Sequence, residues 1–237
     1  MNKPSVLSGA LLGIFVATGL YLLGHTISRG LLDFRALDRV VTVKGLAEEE
    51  VKANAAIWPI TFNQVDNNLN NLYSAVQGKT DTVIKFLKKQ GFTEDEISVS
   101  QPAIDDRQAQ GYVDPNIKFR YIASVTVSVY TNKVDNVLQS RNQLLELVKD
   151  DIAVAQNYQN RTEFIYTDLN TIKPKMVQQA TENAREVAEK FAHDSNSSIG
   201  KIKNASQGTF SIEDRDSTTP YIKKIRVVST ISYYLKD

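Results

Sequence analysis

From Ser5 to Gly24 the chain reads SVLSGALLGIFVATGLYLLG, without one charged side chain. In hydrocarbon a backbone must satisfy its own N–H and C=O groups, so a run like this persists in a membrane only as a helix of about 20 residues. The apolar region of a secretory signal is shorter, about 7–15 residues. Pro4 to Gly24 exceeds that, and the following residues, HTISRGLLDF, hold no Ala-x-Ala cleavage pattern. The segment therefore reads as a retained anchor rather than a cleaved signal. Residues 1–29 form the membrane segment, 30–39 a linker, and 40–237 the folded domain. Charge runs against export: Lys3 and the amino terminus precede the span, whereas Arg29, Arg35 and Arg39 follow it, and the positive-inside rule keeps the richer side in the cytoplasm. Gly9 and Gly13 have the GxxxG spacing that lets membrane helices approach closely, although glycine is common in such helices anyway.

Beyond the span, the pattern alternates between periods of two and of three to four. Val41 and Val43 alternate with polar residues up to Gly45. KANAAIWPITFNQV places Ala56, Trp58, Ile60 and Phe62 on one face, with Pro59 predicting an edge strand or a bulge. Leu69, Leu72, Tyr73, Val76, Val83, Ile84 and Leu87 mark an amphipathic helix. A strand at Ile97–Pro102, a polar loop, and the alternating strand YIASVTVSVYT follow. Next come a helix over Val134–Val148 and a strand at Glu163–Tyr166. The long helix KMVQQATENAREVAEKFAHDSN has the apolar stripe Val177, Ala180, Ala184, Val187, Ala188 and Phe191. A strand at Ile202–Phe210, a polar loop and KKIRVVSTISYYL end the chain. The class is α+β with α/β-like features: mostly antiparallel sheets packed by long helices. TVIKFLKKQGFTEDEISVSQ and EVAEKFAHDSNSSIGKIKNASQ match at one offset, Phe86 with Phe191 and Ile97 with Ile202. This predicts a duplicated helix–strand–strand unit, with sub-units 40–131 and 132–237.

The side chains assemble no recognisable chemistry. With no cysteine, the chain has no disulfide, thiolate nucleophile or iron–sulfur ligation. A net charge of +1 without a basic face argues against nucleic acid. Gly78-Lys79-Thr80 ends like a phosphate loop, but Tyr73 stands where the earlier glycine belongs. His25 and His193 lack a visible second ligand. The carboxylates Asp105-Asp106 and Asp214…Asp216 sit in polar loops without calcium-loop spacing and read as solvated turn residues. Asn160, Asn196 and Asn204 match the glycosylation acceptor string, which recurs by chance. No catalytic, cofactor-binding or metal residue is assigned.

VVTVKGLAEEEVKANAAIWPITF, YIASVTVSVYT and VQQATENAREVAEKFAHDSNSSIGKI together resemble the SIMPL-domain family over about residues 40–236. The resemblance implies an exported bacterial domain, which outweighs the arginine count. Many members are periplasmic, some are linked to oxidative-stress defence, and at least one assembles into a large ring-like or channel-like oligomer. It supplies no catalytic residues. The expectation is a non-enzymatic envelope protein, held in the membrane through residues 5–24, that self-associates and acts at most indirectly against oxidants. The alternative is a binding module presenting loops 105–117 and 211–220 to a protein, peptide or ligand. An undetected hydrolase or redox enzyme is the third reading.

Overall fold

The computed structural model describes residues 6–36, 39–109, 117–155 and 160–236. Helix α1, Val6–Ala36, carries the apolar span and continues through most of the segment read as a linker. The rest divides into two compact units at places other than residue 131: Glu49–Ile172 with Ile212–Ile225, and Lys173–Ser211 with Arg226–Asp237 and the chain up to Glu48. The reason is that long elements run from one unit into the other. These are strand β1 (Val40–Lys52), the last strand (Ile222–Lys236) and the long helix (Leu169–Asp194).

The first unit is built on β2 (Ala55–Asp66) and β5 (Tyr121–Thr131), paired antiparallel from Ala56↔Thr131 to Asp66↔Tyr121 without interruption. On the far side of β5 lie β3 (Ile97–Val99) and β4 (Ala103–Asp106). On the far side of β2 lie β6 (Val154–Ala155) and β7 (Glu163–Ile165). This corrects the reading of Pro59. Its strand is neither an edge nor bulged: β7 pairs with 55–57, β6 with 61–62, and Pro59 sits in the gap between them. The missing N–H requires only that local gap.

Helix α2, Leu69–Lys89, closes this sheet. The Asn68 carboxamide accepts from the N–H groups of Asn70 and Asn71 at 2.8 and 3.2 Å, a cap worth about 1 kcal/mol. Its Leu72, Val76, Val83 and Leu87 join Trp58, Ile60, Phe62, Val125, Val127 and Val129 in one buried cluster. Gly78-Lys79-Thr80 lies inside α2, as its helical pattern predicts. The helix expected over 134–148 is α3, Val134–Arg141, followed by a 3-10 turn at Leu144–Asp150 that Asp151 ends at φ 56°.

In the second unit α4, Leu169–Asp194, packs on a sheet ordered β1, β10 (Ile222–Lys236), β8 (Ser198–Gln207), with β9 (Ser211–Asp214) also on β10. The buried stripe of α4 is Met176, Ala180, Ala184, Ala188 and Ala192, at strict four-residue spacing. Val187 and Phe191, expected within the stripe, are exposed. The alanines let α4 descend onto Gly45 of β1, where a Cβ would stand 1.8 Å from the Ala180 carbonyl oxygen.

Both units share one plan. A strand (β2 or β1) pairs with a returning strand (β5 or β10), whose other side takes an interrupted strand (β3–β4 or β8–β9) that follows the helix (α2 or α4). The helix ends agree bond for bond. Gln90, Gly91 and Phe92 donate backbone N–H groups to Phe86, Leu87 and Lys88 carbonyls; Ser195, Asn196 and Ser197 donate to Phe191, Ala192 and His193 in the same pattern. Gly91 and Asn196 occupy the same left-handed position, at φ 91° and 52°. The duplication read from the sequence is thus present as a duplicated strand–helix–strand–strand unit.

Candidate functional site

Three carboxylate clusters, around Glu96, Asp106 and Asp216, are held by neighbouring donors. Glu96 is a tightly held carboxylate. It accepts from Thr131 Oγ1 at 2.6 Å, from the Thr93 N–H at 2.8 Å and from Lys133 Nζ at 2.9 Å. Burial raises its pKa, and these hydrogen bonds outweigh burial and bring it from 4.5 to about 2. The group ties the turn before β3 to the end of β5. A depressed carboxyl stabilises the fold fully above its unfolded pKa, and that contribution fades as pH falls from 4.5 towards 2. Glu96→Gln is expected to remove about 2–3 kcal/mol at neutral pH, and urea midpoints of the variant will change less than those of the parent between pH 4.5 and 2. Equal pH slopes would show that Glu96 does not hold this linkage.

The carboxylates singled out in the loops are engaged as well. Asp106 binds Arg120 through two bonds of 3.0 and 2.8 Å, which hold its carboxyl below the usual range. Asp216 accepts from the hydroxyls and N–H groups of Thr218 and Thr219 and from Arg215, and is likewise depressed. Asp214 pairs with Lys223, a lysine with almost no solvent exposure. These two beside Arg161, Thr162, Glu163, Phe164 and Pro220 line a cleft of about 200 Å³. Residues 211–220 thus comprise β9 and a turn held together at Asp216. Residues 110–116 of the other predicted loop lie outside the described residues.

His25 stacks on Tyr21 within α1, and His193 is an exposed helix-end residue 3.7 Å from Asp194. Among the described residues no three His, Asp or Glu side chains stand together as a metal set. The Ser229 hydroxyl is buried and without a hydrogen-bond partner, and no base reaches it. Of the acceptor asparagines, Asn160 donates to Thr61 Oγ1 at 2.8 Å, Asn196 forms the α4 cap, and Asn204 is exposed on β8.

The features left open are surfaces. In α1, Leu11–Gly30 is long and apolar enough to cross a membrane and is wholly exposed, as a membrane anchor or signal sequence requires. Gly9 and Gly13 meet nothing within 4 Å. Among the described residues, neither β1 nor β8 has a strand on its outer edge. A groove of about 300 Å³ between α4 and β8 is lined by Thr181, Arg185, Lys201, Ile202 and Tyr233. Sequence reasoning missed the open edge of β1, because its buried side chains at 45 and 47 are Gly and Ala and an acid-rich stretch follows. That stretch reads as a turn, yet it continues the strand to Lys52.

Among curated proteins none matches the chain. The family model of SIMPL, described as a protein of unknown function (DUF541), matches residues 41–230. This match, over most of the chain, shows that the chain belongs to the SIMPL family.

Proposed function

We propose that this protein is a non-enzymatic scaffold of the bacterial cell envelope, anchored by α1 with its domain in the periplasm, that works by self-association. The observation carrying this reading is the pair of long strand edges, β1 and β8, left open in a chain with an exposed apolar span. Open edges favour strand addition and symmetric assembly. The carboxylates of the competing loop-binding reading are engaged by their own neighbours, which leaves fewer polar groups for a ligand. Any part in oxidant defence is indirect: there is no cysteine, and Met176 is fully buried. Light scattering of the full chain in detergent tests the proposal. The expected result is a discrete multiple of the chain mass; a monomer at every concentration overturns it.

A further inference from the structure

A cover present in one unit is missing from its equivalent. In the first unit β6 and β7 occupy the outer edge of β2, and Phe86 of α2 is only 7% exposed in a core joined by Leu144 and Leu147. In the second unit the equivalent edge is that of β1 and the equivalent side chain is Phe191, which is 58% exposed. Val187 stands one turn before it on α4, and Asn183 one turn before that. Asn183 donates its Nδ2–H to the Leu46 carbonyl at 2.7 Å, so this ridge lies beside β1. No strand among the described residues fills the place.

We propose that a second copy of this chain fills it, by antiparallel pairing of β1 with the copy's β1 about a two-fold axis at Leu46. This rests on the self-association reading and gives it a surface. Leu235 donates to the Arg39 carbonyl and Ala53 to that of Tyr221. Odd-numbered peptide groups of β1 therefore face β10, and even-numbered ones face outward. An axis at Leu46 overlaps the whole strand, Val40–Lys52. It sets Lys44 of each copy opposite Glu48 of the other, with Leu46, 39% exposed, against itself. Neighbouring registers are worse: an axis at Lys44 or at Glu48 sets like charges face to face, which is destabilising in an antiparallel pair. Glu48 already lies 3.6 Å from Arg226 and would stand between two cations. Asn183 takes one lone pair of the Leu46 carbonyl and leaves the other for the copy's N–H.

Strand rise places the two Val40 residues about 40 Å apart in this dimer, so the pairing itself needs no contact between α1 helices, and Gly9→Leu should leave it intact. The chain has no cysteine, so single cysteines report cleanly. In full-length protein in detergent, Leu46→Cys should oxidise to a covalent dimer, because paired Cα atoms about 5.5 Å apart suit a disulfide. Lys44→Cys, with its copies about 13 Å apart, should not. Lys44→Glu and Glu48→Lys should each raise the dissociation constant about tenfold. Mixing the two variants should restore association, since each offers the charge the other lacks. An oligomer that Leu46→Cys fails to link overturns this surface but not self-association; a monomeric chain overturns both. Mixed variants that stay apart overturn the pairing register.

Discussion

Gly45→Ala is expected to cost at least about 3 kcal/mol and to loosen α4 from its sheet. The added methyl would stand 1.8 Å from the Ala180 carbonyl oxygen, 2.5 Å from the Ala184 nitrogen and 2.8 Å from the Ala184 Cβ. Two of these are helix backbone atoms, which no side-chain rotation can withdraw. The helix must therefore lift, and in lifting it parts Ala184 and Ala188 from Val43, Ile231 and Tyr233. Amide hydrogen exchange along α4 and β1 reads the effect directly, with the largest loss of protection around Ala180–Ala188. A second substitution sharpens the test. Ala184→Gly removes only the Cβ contact, so it should not rescue Gly45→Ala. Unchanged protection in Gly45→Ala would show that α4 rides higher at little cost.

How far the fold was legible in the sequence follows the physics of each element. Tyr121–Thr131 was legible because Ala123, Val125, Val127 and Val129 alternate with Ser124, Thr126 and Ser128. The duplication was legible because the helix end is a local object: a left-handed residue and three backbone donors recur at one offset. The stripe of α4 was only half legible. Its buried face is alanine, whose hydrophobic signal is small, so Val187 and Phe191 drew the reading to a face that solvent covers. The open edge of β1 was hidden for a related reason, since an edge is defined by which strands are absent. That depends on the whole sheet and leaves no mark in a local pattern. Asp105, Asp106 and Asp214, expected as solvated turn residues, lie on the short strands β4 and β9, whereas Asp216 does sit in a turn. What the sequence did not show was that Lys223, with little solvent access, stands beside Asp214.

Phe62→Ala is expected to cost about 3–5 kcal/mol, and the reason connects it to Gly45. Ile97 pairs with Val129, and Ile202 with Tyr233, so Val129 and Tyr233 hold equivalent places. Trp58 lies opposite Val129. Val41 lies opposite Tyr233, given that Thr42 bonds to Ser232 and Leu235 to Arg39. Four residues further along each strand stand Phe62 and Gly45. One plan thus meets its helix with different residues: α4 rests on a bare glycine, whereas α2 faces a fully buried phenylalanine in one cluster with Leu72, Val76 and Val83. Truncating Phe62 leaves a cavity that α2 cannot fill, because its facing side chains are leucines and valines rather than alanines. Trp58 is the chain's one tryptophan and belongs to the same buried cluster, so its fluorescence reports urea unfolding of this unit. A loss under 1 kcal/mol would mean that α2 can settle onto its sheet as α4 does.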